Sequence, residues 1–229
     1  MRKPVIDYRK LRLSNICSPS FRHLFLILDW VIYLIMFALT ERFIPADKCY
    51  PVHCSLDDII PFCEYFIIPY AGWYILIIGT LLYFLFYDVE SFKELQKYII
   101  ITQVIAMTAY IVFPTRQDLR PDVFVRDNIF TDMVRLLYRI DTNTGVCPSL
   151  HVGYSLGIAS AFLKAERKTA SPAFKAFIVV FVILICISVT FVKQHSVVDI
   201  IAALPMCLVA ELAVYGKRYF KGGIKDRYV

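Results

Sequence analysis

Charge is what this sequence has least of. Only 19% of its 229 residues are Asp, Glu, Lys or Arg, against 59% hydrophobic and 15% aromatic, and the mean hydropathy is positive. A soluble domain of this length carries more charge and shorter apolar runs. Tyr65 to Tyr87 is a run of 23 residues without one charge. At about 1.5 Å per residue, such a helix crosses a hydrocarbon core of roughly 30 Å. Internal repeats and low-complexity linkers are also missing, so the apolar runs are expected to form one bundle and one domain. The first run, near His23, has no small-residue cleavage site after it and is too long for a signal core. It reads as a first transmembrane helix behind a basic tail. A standard zinc spacing is absent as well. Cys49, Cys54 and Cys63 share one segment with His53, and a disulfide or free thiols are expected there rather than a metal. Cys17, Cys186 and Cys207 fall in the tail or within spans, where a cysteine is a small apolar packer.

What is present is a set of six candidate spans, at 23–44, 65–87, 98–115, 148–164, 175–192 and 196–216. The expected fold is an all-α integral membrane bundle of about six transmembrane helices. Residues 1–22 form a basic N-terminal segment, 23–216 the membrane catalytic domain and 217–229 a basic C-terminal tail. With the N-terminus inside, 17 of the 25 Lys and Arg residues fall on inner segments, which makes both termini cytoplasmic. The net charge of +6 is thus a topology signal rather than a nucleic-acid footprint, with acidic lipid head groups as secondary partners. On the outer side, 45–64 is expected to hold a short interfacial helix around Asp57 to Phe62. The longest loop, 116–147, is expected to be functional. Gly72, Gly79, Gly153 and Gly157 read as close helix packing, and the many Tyr and Phe as interfacial belts and fillers. Glu211, within the last span, needs a neighbour or a place near the inner interface.

Three segments carry chemistry, all on the predicted outer face. In Lys193-Gln194-His195-Ser196-Val197-Val198-Asp199 the histidine and aspartate are four apart and share a helix face. A carboxylate on one ring nitrogen fixes the tautomer and frees the other to attack. An isolated His-x-x-x-Asp is more often a capping or packing pair, but buried ionisable groups at a membrane helix end are costly unless used. In Pro148-Ser149-Leu150-His151 the proline suits a helix start. The N–H groups behind it would cradle a phosphate, with Ser149 adding a hydroxyl and His151 a proton for a leaving oxygen. Arg120-Pro121 offers a planar fork for two phosphate oxygens. Lys193 supplies a point charge for a five-coordinate phosphorus, and Arg116 either assists or is a lipid-contacting charge.

These residues resemble the three-part signature of the type-2 phosphatidic acid phosphatase superfamily: Lys…Arg-Pro, Pro-Ser-x-His, and Ser-Arg…His-x-x-x-Asp. Arg120-Pro121, Pro148 to His151 and His195 to Asp199 match in order, on the six-helix layout of that family. The resemblance implies His195 as the nucleophile of a phosphohistidine, Asp199 as its orienter, His151 as the general acid, and Arg120 and Ser149 as phosphate ligands. It implies no metal or other cofactor. The signature lysine falls on Phe113 and the signature arginine on Val189, so both are missing, and Leu150 stands where many members have Gly. Lys193 and Arg116 are candidates to replace the lost charges. The reduced pattern is also similar to the branch of inositol phosphorylceramide and sphingomyelin synthases, which move a phospho-headgroup between lipids.

The expected function is a membrane lipid phosphatase acting at the outer face of the plasma membrane. Its partner is a phospholipid or polyprenyl phosphate in the bilayer; phosphatidic acid, phosphatidylglycerol phosphate and polyprenyl diphosphate all fit, and no oligomeric state is implied. The alternatives are a lipid phosphotransferase with an acceptor hydroxyl in place of water, and a non-enzymatic transporter or scaffold. The third would be expected to show repeated halves or broken spans.

Overall fold

The structure is a computed structural model that describes residues 4–166 and 168–220. The predicted inner charges at Arg2, Lys3 and Arg167, and the tail from 221 to 229, lie outside the described residues. Eight α-helices follow in order: α1 (Leu28–Phe43), α2 (Ser55–Ile59), α3 (Ile67–Tyr87), α4 (Val89–Val112), α5 (Ile129–Ile140), α6 (Leu150–Lys164), α7 (Pro172–Phe191) and α8 (Val197–Phe220). Among the described residues, five helical segments are long and apolar enough to cross a membrane: Arg22–Phe43, Glu64–Tyr87, Val89–Val112, Pro172–Phe191 and Val197–Tyr219. Their outward surfaces suit lipid. Val31, Ile32, Leu34 and Ile35 on α1, Phe177 and Val180 on α7, and Ile201 and Leu208 on α8 are each more than half exposed, a surface water would not tolerate.

The expected fourth span differs from the rest. α6 has 15 residues, about 22 Å of helix against roughly 30 Å of hydrocarbon. It is the hub of the bundle, packed against α3, α4, α7 and α8, with ten of its 15 residues buried. Close approach is built in at Gly157, where a Cβ would meet the Tyr98 ring at 2.6 Å. Gly72 and Gly153 are similarly crowded, but Gly79 faces open space and does not serve packing.

α4 begins at Val89, nine residues before the expected 98. Asp88 caps it by accepting Ser91 N–H, and its first turns carry Glu90, Lys93, Glu94 and Lys97, charges that extend the helix beyond its apolar part. The segment expected as the longest loop contains α5. Asn128 Oδ1 caps it by accepting from the N–H groups of Phe130 and Thr131. Its inner face, Phe130, Val134, Leu137 and Tyr138, packs on Ile67, Tyr70, Val189 and Val192. The short helix expected around Asp57 to Phe62 is α2, which starts at Ser55 and ends at Ile59.

The ends of the described chain meet at one end of the bundle. Val5 N–H donates to Phe86 O (2.8 Å), Tyr8 Oη–H to Leu85 O (2.9 Å), and Arg218 pairs with Glu94. Lys164 and Glu211 pair nearby at 2.7 Å, with Ser160 Oγ–H donating to the same carboxylate at 2.6 Å. Glu211 therefore has the partner its place in a span demands. At the opposite end, two-residue strands β1 (Tyr50–Pro51) and β2 (Thr115–Arg116) run parallel and tie the segments after α1 and α4 together. Gly145, at φ 59°, lets the 141–146 loop turn and donate its N–H to Thr115 O (2.8 Å).

Candidate active site

The three sequence segments meet at the β1–β2 end. α8 starts at Val197, so His195 lies just ahead of its first turn and Asp199 within it. The four-residue spacing closes a hydrogen bond of 3.0 Å between His195 Nδ1 and Asp199 Oδ2. The same carboxylate oxygen accepts Ser196 N–H at 3.0 Å. With Nδ1–H donated to Asp199, the lone pair of His195 stays on Nε2, which faces His151 Nδ1 at 3.3 Å. His151 sits in the first turn of α6, its ring tilted against those of Trp73 (4.1 Å between centroids) and Tyr70 (4.7 Å). Its own carbonyl accepts Trp73 Nε1–H at 3.1 Å, which pins the turn that carries it. Cys147 borders the site as a neutral thiol, pushed up to about 12 by burial and then by the Asp199 carboxylate.

Ser149 is fully buried and is the N-cap of α6, its Oγ accepting from Val152 N–H at 3.5 Å. Its N–H donates to Asp199 O at 3.1 Å. That bond fastens α6 to α8, so of the expected phosphate cradle only the N–H groups of Leu150 and His151 are left, with no carbonyl one turn earlier. Pro148 precedes the cap rather than opening the helix, and its carbonyl accepts Tyr110 Oη–H at 2.7 Å.

The three cations are placed differently from the expectation that they present free charge. Arg120 lies beside the site but spends its fork on protein acceptors. Nε–H donates to Gln194 Oε1 (2.9 Å), and the two Nη groups donate to the carbonyls of Tyr138 (3.2 Å), Asp141 (2.9 Å) and Thr142 (2.9 Å). Its guanidinium also stacks 4.5 Å over the Tyr138 ring. Lys193 turns its ammonium onto the carbonyls of Asp57 (2.8 Å) and Ile60 (2.5 Å). Burial lowers its pKa, opposed by the Asp57 and Asp58 carboxylates. Arg116 holds the 46–49 segment through Ala46 O and Cys49 O and pairs with Asp118.

Sequence reading missed several residues here. Asp141, just past α5, accepts Tyr70 Oη–H and Gln194 Nε2–H on Oδ2, each at 2.9 Å. Asp57 is buried (2% exposed) and accepts Val197 N–H at 2.8 Å, Ser196 Oγ–H at 2.5 Å and Cys54 N–H at 2.8 Å. Burial pushes this carboxyl up, but the donors outweigh it and hold the group below its ordinary range. Its contacts are therefore complete above the ordinary aspartate pKa and are lost only as pH falls through the lowered value. All seven cysteines are free thiols. His53 pairs with Asp58 at 2.8 Å, and among the described residues no group of three His, Cys, Asp or Glu converges on a common point.

A cavity of about 400 Å³ opens onto the histidines between α1 and α3. Its outer part is polar, with Asp141, Thr142, Thr144 and Gln194 beside His151 and His195; the remainder is aromatic and aliphatic, including Trp30, Tyr33, Leu34, Trp73 and Ile78. A second cavity of about 260 Å³ shares Trp30, Ile77 and Ile78 with it and continues to Leu85 and Phe92. The gap exists because α1 buries none of its residues and packs chiefly on α4.

No protein-family model matches the chain, and no characterised protein or solved structure was found to match it.

Proposed function

We propose that this protein is a membrane enzyme that cleaves a phosphate ester or diphosphate on a lipid through a phosphohistidine at His195. The observation that carries the proposal is the line Asp199–His195–His151, with contacts of 3.0 and 3.3 Å, set in the wall of an otherwise largely apolar cavity. Segment order and residue types add the resemblance to type-2 phosphatidic acid phosphatases. In the first step the Nε2 lone pair of His195 forms the N–P bond as the bond from phosphorus to the leaving oxygen breaks. His151 gives that oxygen its proton, and Asp199 holds Nδ1–H and stabilises the imidazolium. In the second step a water oxygen attacks phosphorus, its proton passes to His151, and the N–P bond breaks. The lipid chain lies in the α1–α3 groove, with its headgroup at the polar end.

A second reading puts an acceptor lipid hydroxyl in place of that water. It is favoured by Asp141, a carboxylate on the cavity wall that attracts an O–H and repels a second phosphate, and by the engagement of Arg120, Lys193 and Arg116 with protein oxygens.

The deciding experiment uses purified protein in detergent with phosphomonoester, diphosphate and phosphodiester lipids, each beside its water-soluble headgroup analogue. Free phosphate and lipid products are followed together, with and without a diacylglycerol or ceramide acceptor. Phosphate release, with the lipid preferred over its soluble analogue by about 100-fold in kcat/KM, is the expected result. A new phospholipid formed only with acceptor selects the second reading, and no turnover of any substrate overturns both.

The site belongs at the outer face of the plasma membrane, with both termini cytoplasmic. This rests on the excess of Lys and Arg on the segments of the other end and on both described chain ends lying there. In Asp122→Cys an impermeant thiol reagent applied to intact cells should label the protein above the wild-type background. Labelling seen only after permeabilisation reverses the orientation.

A further inference from the structure

The histidine loop is held by an outer segment more than 130 residues earlier in the chain. α2 and the start of α8 cap each other. The Asp57 carboxylate receives Val197 N–H at the first residue of α8 and Ser196 Oγ–H just before it. In return Lys193 sends its ammonium to the carbonyls of Asp57 and Ile60 at the end of α2. Lys193 has φ 55°, a left-handed conformation that a lysine adopts only when its surroundings impose it. Between these two contacts lies His195, whose N–H is bonded to Val189 O at 3.1 Å. A third tie, Cys63 N–H to Phe191 O at 3.0 Å, brings the same outer segment to the end of α7.

The charges explain why this clamp is specific. The N-terminus of α8 presents unsatisfied N–H groups and the positive end of a dipole. Asp199 answers one of them from within the helix, at Ser196 N–H, but its Oδ2 also holds His195. Asp57 takes the next N–H, that of Val197, so Asp199 is free to orient the imidazole. A buried carboxylate with three donors is rigid, because losing any donor leaves charge uncompensated.

From this geometry we infer that Asp57 is a positioning residue for His195, acting through Ser196, Val197 and the reciprocal Lys193 contact to fix the imidazole against His151. The inference rests on the proposed catalytic role of His195. It assigns α2 the task of holding the histidine loop in register with α6 and gives Lys193 the structural half of that clamp.

The test pairs two measurements on full-length protein in detergent. Hydrogen exchange of peptides covering 193–199 is compared in wild type, Asp57→Ala and Asp57→Asn, with peptides in α3 and α4 as internal controls. Turnover is measured on whichever lipid the wild type accepts. In Asp57→Ala the 193–199 amides are expected to exchange at least about 10-fold faster while α3 and α4 stay protected. The kcat is expected to fall about 100-fold with KM within twofold, because the α1 and α3 side chains that line the lipid-chain part of the groove lie outside the clamp. Asp57→Asn keeps an acceptor for Val197 N–H and should recover about a tenth or more of wild-type kcat. Ser196→Ala in the Asp57→Ala background should add little, as expected for two members of one unit. Unchanged protection of 193–199 overturns the inference whatever the activity. So does lost protection with kcat unchanged. If Asp57→Ala does not fold, Asp57→Asn and Ser196→Ala carry the same comparison. Wild type inactive on every lipid would overturn the proposed function instead, while the exchange data would still decide whether the clamp exists.

Discussion

His195→Ala is expected to lose at least about 10⁴-fold in kcat while keeping its fold, since removal of a covalent nucleophile leaves only binding and electrostatic stabilisation. His195 is 7% exposed and lines a cavity, so its truncation enlarges that cavity rather than opening a new void in the packed bundle. Size-exclusion behaviour and thermal unfolding should match wild type. The covalent step gives a more direct readout than rate. With a lipid labelled in its phosphorus, brief incubation and denaturing quench should leave acid-labile, alkali-stable label on wild type and none on His195→Ala. Label of equal amount on the variant would remove His195 from the chemistry. Label that is acid-stable would exclude a phosphohistidine.

Replacement of His151 should separate the two chemical steps. His151 is placed to protonate the leaving oxygen, and removal of a general acid costs roughly 10²–10⁴-fold when the leaving group is an alkoxide. A nitrophenolate departs without a proton. His151→Ala is therefore expected to lose about that factor on a lipid phosphate but to retain a burst of nitrophenol from an aryl phosphate, within about 10-fold of the wild-type rate. Because the same imidazole activates water in the second step, the burst should be followed by a slow phase, with phosphohistidine accumulating. Equal losses in the burst on the aryl substrate and in turnover of the lipid would overturn the assignment. The truncation also removes the ring that contacts Tyr70 and Trp73. His151→Gln, which fills the space without a transferable proton, should show the same pattern.

The residues whose role is local were legible. His195 and Asp199 are four apart, and the helix pitch brings them together wherever α8 lies. Ser149 is a helix start in sequence and an N-cap in the structure. α5 was legible but unread: Asn128 stands ahead of Phe130, Val134, Leu137 and Tyr138, a capping residue before an i, i+4, i+7, i+8 stripe. The cations were not legible. Arg116, Arg120 and Lys193 each answer carbonyls on other segments, and nothing in a residue's own neighbourhood announces which distant carbonyls lack a donor. Asp57 and Asp58 make the point most sharply. They are adjacent and chemically identical, yet one is buried under α8 with three donors and the other pairs with His53 at the surface.

Composition and periodicity alone determined that this is a chain of membrane-length apolar helices, since burying so many apolar side chains in a lone water-soluble fold of this size leaves too little polar surface. They also determined which histidines are candidates for chemistry, because short helical spacing is a local property. Tertiary structure decided the rest. The length of α6 follows from its place at the centre of the bundle, where neighbours rather than lipid surround it. The 3.3 Å approach of His151 to His195 joins residues 44 apart in the chain, and the buried Asp57 belongs to a segment still farther away. Such contacts are settled by how buried polar groups find partners once the helices pack, and that pairing has no period along the chain.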